Sequence, residues 1–213
     1  MVKRFDAIIF DLDGVICYTD EYHYRAWKTL ADSIGVPFDR TINNRLRGVS
    51  RMASLDIILE QSPCAFSQAE KDALADQKNE LYKRLLAEMT PNDLPVDVKE
   101  TLDALREKGY LFAIGSSSKN TPFILQQIGL TGFFDAISDG NNITRSKPDP
   151  EVFLKAAQML NVEPSRCLVV EDAVSGAQAA HDGGMKAACV GDASHEGAGD
   201  WNLNSVKELL TLL

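Results

Sequence analysis

The chain has 213 residues, 45% hydrophobic and 25% charged, with 31 Asp and Glu against 22 Lys and Arg and a formal net charge of −9. This length and balance suit one ordinary soluble domain, or a core carrying a modest insert, with enough apolar side chain for a sizeable interior. The acidic excess argues against nucleic acid or an anionic membrane surface as a bulk partner, so an anionic small molecule would need locally gathered positive charge.

In chain order, Lys3 and Arg4 precede an apolar stretch that stops at Asp11, short of the apolar core of a signal peptide. No segment is long enough to span a bilayer, and a cytoplasmic location is expected. Ala7–Phe10 (AIIF) reads as the first strand. Asp20 then caps a helix whose Trp27, Leu30, Ala31 and Ile34 recur at helical spacing and which Gly35 stops. Ser67 with Glu70 forms a capping box for a longer helix reaching Leu86 or beyond. Thr90–Pro95 (TPNDLP) is a connector, as is the stretch near Val15–Thr19. Pro95 opens a helix over Val96–Lys108 that Gly109 ends, and Leu111–Ile114 (LFAI) is the second strand. Pro122 starts a helix over Phe123–Ile128 that Gly129 closes; Ala136–Ile137 is the third strand, and Pro150 opens another helix. Cys167–Val170 (CLVV) and Ala187–Val190 (AACV) are the fourth and fifth strands.

Strands that are apolar on both faces suit a parallel sheet sandwiched between helices, and strand–helix alternation predicts a doubly wound, Rossmann-like α/β fold. The alternation breaks once, because the long stretch between the first and second strands holds no convincing strand. It reads as an inserted all-helical cap, residues 17–91, in a core of residues 1–16 and 92–213. The cysteines, Cys17, Cys64, Cys167 and Cys189, have no C-x-x-C pair or zinc-site spacing and are expected as buried free thiols.

In an open α/β sheet, ligands gather at the carboxyl ends of the strands. Asp11 and Asp13 follow the first strand, Ser116, Ser117, Ser118, Lys119 and Asn120 the second, and Glu171 and Asp172 the fourth, with Lys147 in a connection along the same edge. Singly, these have bland readings: turn formers, a helix cap, a solvated lysine, a solvated acidic turn. Jointly they suggest phosphoryl chemistry. Crowded carboxylates repel, and a hard divalent cation such as magnesium relieves that repulsion. Asp11 could then attack a phosphoryl group, and Asp13, with Gly14 freeing the turn, could exchange a proton with a substrate hydroxyl. Ser116 offers a hydroxyl and backbone N–H groups to phosphoryl oxygens, and Lys147 would offset charge in the transition state.

Asp11-Leu12-Asp13-Gly14-Val15, the Ser116 turn, Lys147-Pro148 and Glu171-Asp172 together resemble, in order, the four motifs of the haloacid dehalogenase-like phosphotransferases, over essentially the whole chain. Glu21–Trp27 (EYHYRAW), Leu46–Arg51 (LRGVSR) and Ser116–Asn120 (SSSKN) resemble the phosphoglucomutase branch of that family. The resemblance implies interconversion of beta-D-glucose 1-phosphate and glucose 6-phosphate through an aspartyl phosphate and glucose 1,6-bisphosphate. It implies Asp11 as nucleophile, Asp13 as general acid/base, and a magnesium site at Asp11, the Asp13 carbonyl, Glu171 and Asp172. Ser116, Ser117 and Lys147 would bind the phosphate in transfer, and Arg51, Ser118, Lys119 and Asn120 the other one. Thr19, His23 and Arg47 would help position Asp13, with Trp27, Gly48, Val49 and Ser50 on the substrate side.

A mutase must grip a bisphosphate at both ends, so a second cationic site is required, and Arg51 and Lys119 supply it if the insert folds over the core. Arg47 stands where a lysine is usual, Ser117 where alanine is familiar, and Pro95-Val96 where Pro-Gly is common. A sugar-phosphate phosphatase of the same family would use the same nucleophile and pass the phosphoryl group to water. A receiver-type signalling module would also gather acids, a hydroxyl and a lysine around magnesium, but has no reason to carry a helical lid. A small-molecule sugar phosphate is the expected partner, with no nucleic acid and no membrane, and a monomer is the default state. His181 and His195 are left unassigned.

Overall fold

The computed structural model describes residues 3–46 and 49–213. In chain order the elements are β1 (Ala7–Phe10), α1 (Asp20–Ser33), α2 (Arg40–Asn44), α3 (Arg51–Leu59), α4 (Gln68–Leu86), α5 (Val96–Glu107), β2 (Leu111–Gly115), α6 (Thr121–Gln127), β3 (Ala136–Ser138), α7 (Glu151–Leu160), β4 (Cys167–Glu171), α8 (Val174–Asp182), β5 (Lys186–Cys189), α9 (Gly191–His195), β6 (Trp201–Asn202) and α10 (Leu209–Leu212). They fall into two compact units, Met1–Tyr18 with Thr90–Leu213, and Thr19–Met89.

In the first unit, six described strands form one sheet in the order β3-β2-β1-β4-β5-β6, every pairing parallel. This is the doubly wound α/β architecture, and it explains the continuous apolar runs: β1 and β4 have neighbours on both edges and helices on both faces, so no residue of either reaches solvent. One face packs Ala7, Ile9, Ala113, Val169 and Ala187 against Phe153 and Ala156 of α7 and Ala177 and Ala180 of α8. On the opposite face Phe10 meets Phe112 edge-on at 5.4 Å and Phe134 at 6.3 Å.

The second unit is helical in its described residues. Trp27, Leu30 and Ala31 of α1, Leu55 and Ile58 of α3 and Ala75 of α4 share one apolar cluster with Val36 and Phe38. The capping box at Ser67 and Glu70 is present at the start of α4. At α1 the cap lies one residue earlier than expected. Thr19 is the N-cap residue, without a side-chain capping bond, while Asp20 is the first helical residue and accepts from Asn43 Nδ2 at 3.1 Å. Its charge still suits the positive end of the helix.

Other differences are local. Helix α6 starts at Thr121, with Pro122 inside its first turn. Strand β5 starts and ends one residue earlier than the apolar run, because the exposed Lys186 already pairs with Leu168. Strand β6, only two residues long at the sheet edge, has no apolar pattern to betray it. Cys17, Cys167 and Cys189 are buried free thiols, but Cys64 is exposed, since it lies between α3 and α4 and outside the apolar stripe of either.

Gly115 ends β2 in close packing: a Cβ there would lie 2.6 Å from Phe153 Cδ1 and 3.2 Å from Ile9 Cγ2. Because Phe153 is wholly buried, its ring has nowhere to go. Gly115→Ala is expected to destabilise the fold by about 1–3 kcal/mol, read from the shift of the urea unfolding midpoint.

Candidate active site

The sheet register brings the sequence motifs to one edge. Phe10 lies opposite Ile114 of β2 and Val170 of β4, so Asp11 just past β1, Gly115 at the end of β2 with Ser116 after it, and Glu171 at the end of β4 come side by side at the carboxyl ends of the strands. The Asp11 N–H still donates to Val170 O at 2.9 Å, and the Ser116 N–H to Ser138 O at 3.1 Å.

Between the exits of β1 and β4 sits Lys147, only 5% exposed. Its ammonium donates to Asp11 Oδ1 and Glu171 Oε1 and lies 4.8 Å from the centre of the Phe153 ring. Burial alone would lower its pKa, but the two carboxylates outweigh burial and hold it above the usual lysine value. Glu171 is fully engaged: Oε2 accepts the N–H groups of Asp172 and Ala173, each at 2.8 Å. A side chain at Gly176 in α8 would overlap the Glu171 carboxylate, so the glycine makes its room.

Asp11 is pushed well above the ordinary carboxylate range, first by burial, then by the charges of Glu171, Asp172 and Asp13, which the attraction of Lys147 does not cancel. One ammonium is too little positive charge for this edge. The turn after Asp11 is compact, with the Gly14 N–H donating to Cys17 O at 2.7 Å and the Ile16 N–H to Leu12 O at 3.0 Å. Gly14 has φ +89, which side-chain-bearing residues rarely adopt, and a Cβ there would overlap the Asp172 carboxylate. Asp172 therefore lies directly against the turn that carries Asp11 and Asp13.

The second-strand turn is held by its own hydroxyls. Ser116 Oγ accepts from the Ser118 N–H at 3.1 Å, Ser118 Oγ from the Asn120 N–H at 3.2 Å, and Ser118 O from the Thr121 hydroxyl at 3.0 Å. Ser116 and Asn120 are buried and Lys119 is exposed. Ser117 Oγ is buried without a hydrogen-bond partner.

In the helical unit, His23 stacks on Tyr82 with centroids 4.0 Å apart, and its Nδ1 lies 2.9 Å from Lys78 Nζ. An ammonium can only donate, so Nδ1 accepts and the ring proton sits on Nε2. Lys78, 3% exposed, lies 4.6 Å from the Trp27 ring centre and 4.3 Å from that of Tyr82. Burial, then the charges of Lys78 and Arg51, hold His23 well below the imidazole value of 6.5. Arg51, half-buried at the start of α3, donates to Asn79 Oδ1 at 2.8 Å. Ser50 caps α3 by accepting from the Ala53 N–H at 3.3 Å; Val49 is half-buried, Thr19 is buried, and Trp27 belongs to the core of the unit. Arg47 and Gly48 lie outside the described residues. Lys78 escaped sequence reasoning, although its place in the buried stripe Ala75, Lys78, Tyr82, Leu86 of α4 is a signal: a lysine at core spacing is kept for a partner.

Among the described residues, no three His, Cys, Asp or Glu side chains already form a metal cage. The donor set nevertheless fits a hard cation: carboxylates gather at the strand ends, they add to burial in raising Asp11, and Asp172 packs on the Asp11–Asp13 turn.

The sequence profile of haloacid dehalogenase-like hydrolases matches residues 5–184. The beta-phosphoglucomutase of Bacillus subtilis (strain 168) is 43% identical over 187 residues, covering 87% of this chain and 83% of that protein. The fructose-1-phosphate phosphatase of Escherichia coli (strain K12) is 32% identical over 189 residues, covering 88% of this chain and 97% of that protein. Among solved structures, the beta-phosphoglucomutase of Clostridium difficile superposes with a TM-score of 0.91 at 37% identity, covering 96% of this chain and 93% of that one.

The buried imidazole sets a pH signature. His23 is expected to titrate below 6.5 in nitrogen-detected NMR, and Lys78→Met to raise its pKa by removing a facing charge. Since the unfolded chain takes up a proton that folded His23 refuses, the stability contributed here is complete above pH 6.5 and falls as pH drops towards the folded value. That acid-side loss is expected to be smaller in Lys78→Met, measured by urea unfolding at stepped pH.

Proposed function

We propose that this chain, which belongs to the haloacid dehalogenase-like hydrolase family and is an enzyme of its phosphomutase kind, interconverts beta-D-glucose 1-phosphate and glucose 6-phosphate. The observation that carries this reading is the buried Asp11 carboxylate, held by Lys147 at the strand ends, with Asp13 two residues on. A carboxylate fixed by one oxygen leaves the other to attack phosphorus, giving an aspartyl phosphate. Asp13 gives a proton to the departing sugar oxygen and takes one from the opposite hydroxyl when the phosphoryl group returns. Lys147 offsets charge on the phosphoryl oxygens, and Ser116 with the N–H groups of its turn orients them. Ser117 belongs to the same turn. Magnesium, held by Asp11, the Asp13 carbonyl, Glu171 and Asp172, would lower the repulsion among these carboxylates and keep Asp11 ionised.

Turning a bisphosphate end for end requires a second grip, and Arg51, Lys119, Ser118 and Asn120 are the groups proposed for it. Thr19, His23 and Arg47 are proposed to steer Asp13, and Gly48, Val49 and Ser50 to face the sugar; Trp27, expected on the substrate side, instead packs in the core of the helical unit. The alternative is a sugar-phosphate phosphatase, favoured by the likeness to the fructose-1-phosphate phosphatase; it would let water take the phosphoryl group from Asp11.

With magnesium, beta-glucose 1-phosphate and a trace of glucose 1,6-bisphosphate, glucose 6-phosphate is expected to form well ahead of inorganic phosphate. Asp11→Asn is expected to lower turnover by on the order of 10³-fold or more, and chelation to stop it reversibly. Inorganic phosphate rising in step with substrate loss identifies the phosphatase instead.

A further inference from the structure

Lys147 belongs to a segment between β3 and α7 that is neither helix nor strand, yet its ammonium is buried between two carboxylates. The backbone of that segment is tied down by Glu151, the first residue of α7. Its Oε2 accepts the Thr144 N–H at 3.0 Å, the Thr144 hydroxyl at 2.8 Å and the Arg145 N–H at 2.8 Å. Its Oε1 pairs with Lys155 Nζ, one helical turn on, at 2.9 Å. Residues 144–151 are thereby closed into a ring with Lys147 in its middle. Asp149 braces the ring from within: Oδ1 accepts the Glu151 N–H at 3.0 Å, Oδ2 pairs with Arg145 Nη1 at 3.0 Å, and its own N–H donates to Ser146 O at 3.1 Å.

The same loop is fastened at its other end to the serine turn. Lys155 Nζ also donates to Asn142 O, and Asn142 Oδ1 accepts the Asp139 N–H at 3.2 Å. Asn141 Nδ2 donates to Lys119 O at 3.0 Å, and the Gly140 N–H to Ser118 O at 3.1 Å.

We propose that Glu151 is a positioning residue for the reaction, acting through Lys147: by closing the ring it holds the ammonium in register with Asp11. This deepens the function proposed above and rests on Lys147 facing the phosphoryl group. A lysine side chain has four torsions of its own, so its charge is placed only as well as its backbone is fixed. Displacement by about 1 Å at a reacting centre can cost about 10²-fold in rate. A carboxylate suits this task, because one oxygen can satisfy several donors while the other meets a cation, and the start of a helix favours its charge. Hydrogen bonds from Lys155 and Thr144 bring Glu151 down to about 2, so its carboxylate is ionised and available to close the ring at neutral pH.

In the full chain with magnesium, Glu151→Ala is expected to lower kcat about 10- to 100-fold while KM stays within about threefold. Glu151→Gln keeps an oxygen for the two N–H groups and is expected to recover most of that loss. In a Lys147→Ala background, Glu151→Ala should change kcat by less than about twofold, since the group it places is gone. Equal losses with and without Lys147, an unchanged kcat, or Glu151→Gln as damaging as Glu151→Ala would overturn the proposal. If Glu151→Ala does not fold, Thr144→Val removes one of the three donors to Oε2, and its smaller loss must likewise vanish without Lys147. Wild-type enzyme that releases phosphate rather than glucose 6-phosphate overturns only the mutase reading, and the same ratios are then read on hydrolysis.

Discussion

One buried ammonium organises the chemistry of this protein. Lys147 donates to Asp11 at the exit of β1 and to Glu171 at the end of β4, and keeps its charge in a place where burial would otherwise remove it. Three groups far apart in the chain must therefore arrive together, since removing one partner of a buried ion pair costs about 3–5 kcal/mol through the charge left behind. Parallel pairing makes that arrival possible: Phe10, Ile114 and Val170 stand level across three strands, so these strands all end at the same edge of the sheet.

The pairing is incomplete. Asp11 stays raised first by its burial and then by the charges of Glu171, Asp172 and Asp13, against the attraction of Lys147. Such a site is poised for further positive charge, and its compactness depends on two positions without side chains: Gly14 admits the Asp172 carboxylate and Gly176 admits that of Glu171. Phosphoryl transfer asks for this combination, with a held nucleophile, charge ready to meet phosphate oxygens and a nearby group to move a proton.

Each unit buries one lysine, and the two are compensated differently. Lys147 meets carboxylates, which strengthens its charge. Lys78 meets the faces of Trp27 and Tyr82 and the lone pair of His23; burial first, then this positive charge, disfavours protonation of the imidazole, and the contact places its proton on Nε2. The first arrangement pins a carboxylate at the strand ends; the second fixes the direction of a hydrogen-bond donor.

The sequence by itself determined the alternation of strand and helix, the parallel sheet and the set of polar residues at the strand ends, because a strand buried on both faces must be apolar throughout and its first polar residue marks its exit. It also announced the capping box at Ser67, a purely local device. Features that arise from contacts across the fold were not legible. Lys147 alone reads as a solvated side chain, and only the convergence of β1 and β4 buries it. Lys78 and Glu151 have ordinary neighbours in the chain, and their importance comes from His23, Thr144 and Arg145, which folding brings to them. The edge strand β6 and the exposure of Cys64 likewise depend on the elements that pack beside them. Local pattern records which surfaces a chain must hide; which charges end up facing one another is decided when those surfaces meet.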